Sequence, residues 1–319
     1  MLENKKIDCS IVASVYNEED GINIFYDSLS DTLSSLNITY EIIFVNDGSI
    51  DNSLALLKII ASKDQTVKII SFSKNFGHEA AMIAGIDYSS GDSVICMDSD
   101  LQHPPQMIPE MLKKKNEGFD VVNMIRTERK DAGFIQKLNS KLFYKFINSI
   151  SSAKLAENAS DFFLISKEVC NVLRTNFRER TRFLRGLIQL VGFKKTTIEY
   201  IANERFAGRS KYSFFKLLVL SFTAISSFSK LPLQLGIITG IIFGLISIGL
   251  IIFSIVMWFL DSPVSGYTTL IVFLSAFASI QLFITGIIGQ YLSYVFDEVK
   301  NRPIYIVEKK INFSDANNE

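Results

Sequence analysis

The sequence predicts an α/β domain followed by two membrane-spanning helices, and three observations support this prediction. Strand and helix patterns alternate over the first 124 residues. Two long uncharged runs follow, at 231–260 and 262–296. The formal net charge of zero is the sum of −7 over 1–173, +9 over 174–230 and −2 over 231–319. The chain therefore has an acidic, a basic and a nearly uncharged block, which a whole-chain sum conceals.

Five strand patterns and four helix patterns make up the α/β domain. The strands are predicted at 9–15, 41–45, 67–72, 93–97 and 120–124, and the helices at 22–36, 53–61, 79–86 and 106–116. Asn17, after the first strand, is predicted to cap the first helix. This alternation is typical of a mostly parallel sheet covered by helices.

Polar side chains follow three of these strands. Asn17 and Glu18 follow the first strand, and Asp47 follows the second. Asp98 and Asp100 follow the fourth. Because the carboxyl ends of parallel strands share one edge, where α/β proteins bind ligands, we expect these groups around one crevice. Ordinary helix capping explains Asn17 equally well.

Asp98 and Asp100 form the most distinctive pair. With the amide oxygen of Gln102, they offer oxygen ligands that suit Mg²⁺ or Mn²⁺, ions that also bind phosphate oxygens. The set therefore fits a nucleotide diphosphate, whose departure a metal ion stabilises. Solvated surface acids are the alternative explanation. Neither GxxxxGK[ST] nor GxGxxG occurs, so a P-loop ATPase and a Rossmann oxidoreductase gain no support.

The uncharged runs indicate membrane spans, because a helix needs about 20 apolar residues to cross a bilayer core. Two buried helices of a soluble core are the alternative. Cations flank the pair of runs on its outer sides, and the hairpin at 261–266 has none. Since positive flanks stay cytoplasmic, both termini and the α/β domain are expected on the cytoplasmic side of the inner membrane. The absence of a signal-peptide pattern and the three separated cysteines agree with this expectation.

The predicted organisation has five parts. They are an α/β catalytic domain (1–204), a basic, amphipathic juxtamembrane segment (205–230), two transmembrane helices (231–260 and 267–296) and a cytoplasmic tail (297–319). In the basic segment, Arg205, Ser210 and Lys211 are suitable hydrogen-bond donors to a phosphate group. Attraction to anionic headgroups, about 1 kcal/mol per cation, is the alternative role.

Five groups of residues, in order along the chain, resemble motifs of one enzyme family. They are Val15-Tyr16-Asn17-Glu18-Glu19, Val45-Asn46-Asp47-Gly48-Ser49, Asn75-Phe76-Gly77-His78, Met97-Asp98-Ser99-Asp100-Leu101-Gln102-His103-Pro104-Pro105 and Arg205-Phe206-Ala207-Gly208-Arg209-Ser210-Lys211-Tyr212. The chain resembles the family 2 glycosyltransferases, and more narrowly the polyprenyl-phosphate glycosyltransferases, which include dolichol-phosphate mannose synthases and bactoprenol glucosyltransferases. The resemblance extends from Asp8 to Val307 and includes both predicted spans.

This resemblance implies a GT-A (Rossmann-like) fold, a nucleotide-diphosphate sugar donor, a polyprenyl-phosphate acceptor and Mg²⁺ or Mn²⁺. The residues implied to bind the nucleotide sugar are Tyr16, Asn17, Glu18, Asp47 and Asp98. Those implied to hold the metal ion are Asp98, Asp100 and Gln102. Those assigned to the lipid phosphate are Arg205, Ser210 and Lys211, with Arg126 as a looser match.

Asp100 and Asp161 are the implied catalytic carboxylates. Asp161 matches a family position proposed to act as a base or to position the sugar. A phosphate monoester has a second pKa near 6, so the acceptor is largely ionised at neutral pH and needs little general-base help. We therefore expect Asp161 mainly to orient the donor or metal-bound water.

Three positions depart from the family pattern or distinguish its branches. Ser14 replaces a common proline, which affects local rigidity only. Phe163 stands where many relatives carry arginine, so the sugar is expected to be bound differently there. His103 matches the mannose-synthase branch, whereas many bactoprenol enzymes have aspartate.

The expected function is inverting transfer of one sugar to membrane polyprenyl phosphate for cell-envelope glycans. UDP-glucose or a related UDP-sugar is the favoured donor, and GDP-mannose is the second choice. A processive polysaccharide synthase and a non-catalytic nucleotide-sugar sensor are the alternatives. The anionic partner is a lipid and not a nucleic acid, and the family implies a homo-oligomer, a tetramer.

Overall fold

The structure is a computed structural model that describes residues 6–127, 159–180, 184–201, 231–260 and 266–313. The predicted juxtamembrane segment and the centre of the predicted hairpin lie outside these ranges. The chain divides into two units. One contains 1–149, 153–212 and 303–319, and the other contains 150–152 and 213–302.

The first unit is an α/β domain built on an eight-stranded sheet. Its strands are β1 (Cys9–Val15), β2 (Tyr40–Asn46), β3 (Val67–Phe72), β4 (Ser93–Asp98), β5 (Val121–Arg126), β6 (Ala159–Ser166), β7 (Lys195–Tyr200) and β8 (Val307–Ile311). Its helices are α1 (Ile22–Ser34), α2 (Ser53–Lys63), α3 (His78–Tyr88), α4 (Ile108–Asn116), α5 (Lys167–Asn176) and α6 (Leu184–Leu190), with a 3₁₀ turn at Pro105–Met107.

The sheet confirms the predicted α/β class and shows that it is mixed. The strand order is β7-β5-β6-β4-β1-β2-β3-β8. Strands β4, β1, β2 and β3 form a parallel core, whereas β6 and β8 run antiparallel to their neighbours. The two antiparallel strands come from segments in which the sequence pattern predicted no strand. The edge strand β8 lies in the predicted tail, so this tail completes the sheet.

Helix α3 lies directly on β1, and a glycine, which has no side chain, permits this close approach. A Cβ atom at Gly85 would overlap the side chain of Val12. The helix is rich in small residues, and its positions from Ala80 to Ile86 are buried. This close packing fixes the direction of α3, whose first residue, His78, points into the candidate site described below.

The second unit contains α7 (Leu231–Phe259) and α8 (Tyr267–Val299). The segments Gly236–Met257 and Ala276–Val299 are long and apolar enough to cross a membrane, and none of their residues whose burial the structure describes is buried within the protein. The soluble-core alternative requires buried helices, so this exposure argues against it. A Cβ atom at Gly236 would lie 3.2 Å from Ile284 Cγ2, which shows that the two helices touch there.

One buried carboxylate connects three parts of the α/β domain. Glu41 on β2 is 1% exposed and accepts hydrogen bonds from Ser10 Oγ on β1 and from the backbone and hydroxyl of Ser90 before β4. It also pairs with Lys68 Nζ on β3. Burial alone would raise the pKa of Glu41, but these donors outweigh it and lower the pKa. The ionised form is therefore the stabilising form.

We predict that Glu41→Ala lowers the free energy of unfolding by about 3 kcal/mol, because Lys68, Ser10 and Ser90 lose their buried partner. The folded-state pKa is the lower one, so the stability due to ionisation is present at neutral pH and is lost as the pH falls from about 4.3 through the folded pKa. Thermal and urea unfolding of the full chain in detergent, at pH 7 and pH 3.5, measures both effects. The exposed Glu110→Ala is the matched control, and an equal loss in both variants would contradict the prediction.

Candidate functional site

The carboxyl ends of β1, β2 and β4 lie side by side. In the strand register Val15 is opposite Asn46, and Ser14 is opposite Asp98. The loops that leave these strands therefore start at one edge of the sheet. The structure thus brings together the predicted polar groups that follow the three strands.

The loop after β1 is held by the loop after β2. Asn17 has a φ of 55°, and its Oδ1 accepts a hydrogen bond from the Ile50 N–H at 2.9 Å. The Glu18 N–H donates to Ser53 Oγ at 2.9 Å. The prediction that Asn17 caps α1 is wrong, because the helix begins only at Ile22 and the Asn17 side chain is engaged by the other loop. Tyr16 is 46% exposed at this edge, where a ligand can reach it.

Asp47 is buried, and its carboxylate is hydrogen-bonded to the loop before α3. Its Oδ1 accepts from the Phe76 N–H at 2.7 Å, and its Oδ2 accepts from the Gly77 N–H at 3.0 Å. Burial raises the pKa of Asp47, and these two donors oppose the rise. Each carboxylate oxygen has a second lone pair, so the predicted nucleoside contact remains compatible with these bonds.

A charged cluster lies where β4, β6, α3 and α6 meet. Asp161 pairs with Arg185 through two hydrogen bonds, Nε to Oδ1 at 2.6 Å and Nη2 to Oδ2 at 2.7 Å. His78 Nε2 lies 3.5 Å from Asp98 Oδ1 and 3.6 Å from Asp161 Oδ2. His78 Nδ1 lies 2.9 Å from Ser14 Oγ. Two carboxylates therefore face one guanidinium and one imidazole.

The charges of this cluster shift its pKa values. Burial alone would lower the pKa of His78, but Asp161 and Asp98 raise it to about 9. Burial raises the pKa of Asp98 to about 6; His78 opposes the rise, and the negative charges of Asp161 and Asp100 add to it. Burial would also raise the pKa of Asp161, but His78 and Arg185 hold it well below its usual range. At neutral pH both carboxylates are ionised and the imidazole is protonated.

Gln102 and His103 support the end of β4. His103 is 1% exposed, and its Nδ1 accepts from the Asp98 N–H at 2.9 Å. Its ring stacks on Phe162 at 5.2 Å, and burial lowers its pKa to about 3, so the imidazole is neutral. Gln102 Oε1 accepts from Arg126 Nη2 at 3.1 Å, and its N–H donates to Asp100 Oδ1. His103 therefore fixes the backbone of Asp98.

Among the residues that the structure describes at this edge, two overlapping sets of side chains could hold a metal ion. In the first, His78, Asp98 and Asp161 place one ligand atom each within 4.8 Å of the others. The second is the predicted set of Asp98, Asp100 and Gln102. Asp98 belongs to both sets, and the charge of Asp100 is near enough to raise its pKa. Crowded carboxylates at one strand end have the chemistry that a divalent cation requires.

His78, Glu79 and Arg185 are site residues that the sequence did not single out for a role. His78 belongs to the quoted Asn75–His78 motif, so a signal was present for it. Glu79 Oε2 accepts from the Leu184 N–H at 2.9 Å, which fixes the start of α6. Arg185 is the second residue of α6 and belongs to the basic block. Only the fold shows that this arginine reaches Asp161.

The remaining predicted residues are placed as follows. Phe163 is 1% exposed in β6, two residues after Asp161. Arg126 ends β5, and its contact with Gln102 brings it to the predicted metal ligands. Arg205, Ser210 and Lys211 lie outside the described residues.

Comparison with known proteins identifies the family. The family model described as "Glycosyl transferase family 2" matches residues 10–174. The glycosyltransferase YkcC of Bacillus subtilis is 40% identical over 309 residues, 96% of this chain and 95% of its own. A prophage-derived bactoprenol glucosyl transferase of Shigella flexneri is 37% identical over 304 residues, 94% of this chain and 97% of its own.

Among solved structures, glucosyl-3-phosphoglycerate synthase of Mycobacterium tuberculosis, in complex with Mn²⁺, UDP-glucose and phosphoglyceric acid, is similar over 69% of this chain and 79% of its own. Its TM-score is 0.46 and its sequence identity 20%. The family match and the near full-length relatives confirm the resemblance that the motifs indicated. The chain is a glycosyltransferase and belongs to glycosyl transferase family 2.

Proposed function

We propose that this protein transfers one sugar from a UDP-sugar, glucose being the favoured sugar, to a polyprenyl phosphate in the cytoplasmic membrane. The observation that carries the proposal is full-length similarity to bactoprenol glucosyl transferases, which includes the two apolar helices. The carboxylate-rich edge of the sheet supplies a site for a nucleotide-diphosphate donor. The two apolar helices would keep an acceptor with a long lipid tail nearby, with the α/β domain on the cytoplasmic side.

The residues at the sheet edge have two separate roles in this proposal, one toward the nucleoside and one toward the diphosphate and its metal ion. The proposal assigns the nucleoside to Asp47 with Tyr16, Asn17 and Glu18. It assigns the diphosphate and a Mg²⁺ or Mn²⁺ ion to Asp98, Asp100 and Gln102. The ion screens the charge of the leaving diphosphate. We place the ion on this set because Arg185 and His78 already balance the charge of Asp161 within the other set.

Asp161 acts as a positioning group in this proposal. Both of its oxygens accept hydrogen bonds from Arg185, and the charges of His78 and Arg185 hold its pKa well below its usual range, which makes it a weak base. An ionised phosphate acceptor requires no strong base. A single displacement at the anomeric carbon inverts its configuration. The chain's contribution is then to align donor and acceptor and to balance charge.

The other two functions fit the chain less well. A processive synthase of related type carries a Gln/Arg-x-x-Arg-Trp motif beside its membrane helices, whereas the one Trp in the sequence, Trp258, lies within α7. A sensor without activity has no use for Asp98, Asp100 and Gln102 together at one strand end. Transfer of a single sugar accounts for both features.

We expect the purified full chain, with UDP-[¹⁴C]glucose, undecaprenyl phosphate and Mn²⁺, to form a lipid-extractable, mild-acid-labile product with one sugar per lipid. Asp98→Asn should lower turnover roughly 100-fold or more, because it weakens binding of the metal ion that screens the leaving diphosphate. Glu110→Ala is the matched control on an exposed carboxylate. A polymeric product would favour the synthase, and nucleotide binding without any turnover would favour the sensor. A panel of GDP- and UDP-sugars assigns the donor.

The metal assignment is tested by binding, independently of turnover. We expect Asp98→Asn and Asp100→Asn to weaken Mn²⁺ binding at least about tenfold in the presence of UDP, as loss of a ligand does. His78→Ala should change it far less. Mn²⁺ electron paramagnetic resonance titration measures all three variants. Equal losses in His78→Ala and Asp98→Asn would move the ion to the set that contains His78.

Steady-state kinetics distinguish the two possible roles of the basic segment, which are binding of the acceptor phosphate and general attraction to lipid headgroups. We expect Arg205→Ala and Lys211→Ala to raise the KM for undecaprenyl phosphate about tenfold, because each removes a charged donor to phosphate. The KM for the UDP-sugar should stay within about twofold of wild type. Lys216→Ala, in the same segment, is the control for general attraction to headgroups. If all three variants behave alike, the segment binds the membrane surface and not the acceptor phosphate.

A further inference from the structure

Tyr305, two residues before the C-terminal strand β8, packs at the edge of the sheet that carries the candidate donor site. Strand β8 pairs antiparallel with β3, and the Ser73 N–H donates to the Ile306 carbonyl oxygen at 3.1 Å. Next to this contact, the ring of Tyr305 stacks on Phe72 with centroids 5.1 Å apart and planes at 11°. Tyr305 therefore packs on the last residue of β3, where the loop towards α3 begins.

The same side chain also holds the far end of α3. The Tyr305 hydroxyl donates to Asp87 Oδ2 at 2.7 Å. Arg178 Nη1 donates to both oxygens of Asp87, at 2.8 and 3.0 Å. Asp87 is the second-last residue of α3, and His78 is the first. Tyr305 thus touches both the strand before this helix and the last turn of the helix.

From Phe72 the contacts continue to Asp47. Phe72 packs edge-to-face on Phe76, with centroids 5.7 Å apart. The backbone N–H groups of Phe76 and Gly77 are the two donors to the Asp47 carboxylate. At Gly48, with a φ of 67°, a Cβ atom would lie 2.6 Å from Asn75 N, so the two loops are in close contact. A shift of Phe72 would therefore move the groups that orient Asp47.

We infer that Tyr305 is a positioning residue for the donor site: from its place just before β8 it fixes the loop 73–77 and helix α3, and through them Asp47 and His78. The stacked ring acts on the loop, and the hydroxyl acts on the helix. The site for the nucleotide would then be complete only when the segment that follows the second apolar helix is docked on β3. The identity of the donor in this inference rests on the proposed function; the geometric coupling does not.

Hydrogen–deuterium exchange of the full chain in detergent tests the coupling without a ligand. Tyr305→Leu removes both the stacked ring and the hydroxyl, so exchange at Phe76 and Gly77 should accelerate about tenfold, within the range of couplings between neighbouring sites. Tyr305→Phe keeps the ring. It should leave these two amides near wild type and accelerate exchange in the last turn of α3.

The matched control is Asn312→Ala, at the other end of the tail strand. Asn312 Nδ2 donates to the carbonyl oxygens of Ala61 and Val67, both at 2.8 Å, so its loss loosens the strand without touching Phe72 or Asp87. It should lower the melting temperature and leave the Phe76 and Gly77 amides protected. The inference is overturned if Tyr305→Leu leaves them protected, if Asn312→Ala exposes them equally, or if Tyr305→Phe leaves the end of α3 unchanged.

Kinetics supply the functional readout. With UDP-glucose, Mn²⁺ and undecaprenyl phosphate, Tyr305→Leu should raise the donor KM about five- to tenfold and leave the acceptor KM within about twofold. A merely structural role would lower the amount of active enzyme without this split, and that result would contradict the inference. If the wild-type chain transfers no glucose to the lipid, the proposed function fails, and the exchange measurement still decides the role of Tyr305.

Discussion

The paired hydrogen bonds between Asp161 and Arg185 are the interaction on which the rest of the site depends. Asp161 lies on β6, which runs antiparallel beside β4, and Arg185 belongs to α6. The carboxylate lowers the cost of holding a guanidinium in a partly buried place and keeps His78 protonated between two acids. Loss of this pair would leave Arg185 and His78 facing Asp98 with unbalanced charge, so the end of β4 would change with it.

The local elements were predictable from sequence because their signals are local. The β-branched run of β1 and the helical spacing from Ile22 match the structure, and the polar residues at the ends of β1, β2 and β4 meet at one edge as parallel pairing requires. The prediction that Asn17 caps α1 is wrong because its side chain accepts a hydrogen bond from Ile50, 33 residues away in another loop. Capping rules consider only neighbouring residues.

Non-local pairing explains what the sequence did not indicate. Arg185 lies in a basic block whose charges suggested phosphate and membrane contacts, yet its partner is Asp161. Strand β8 has little apolar alternation, because Glu308, Lys309 and Lys310 dominate it, and charged residues are suited to an exposed edge strand. Both features depend on the assembled strands β6 and β3, so the sequence alone does not reveal them. The site thus combines locally encoded strand ends with partners that only the folded sheet supplies.

In the proposed reaction Asp161 is a positioning group and the ionised acceptor needs little general-base help. The most direct test is Asp161→Asn, with UDP-glucose affinity measured by calorimetry and single turnover followed from pH 5.5 to 9. We expect donor affinity to fall together with turnover, and some turnover to remain across the pH range. Intact donor binding with turnover abolished at every pH would contradict this expectation and favour a base role for Asp161.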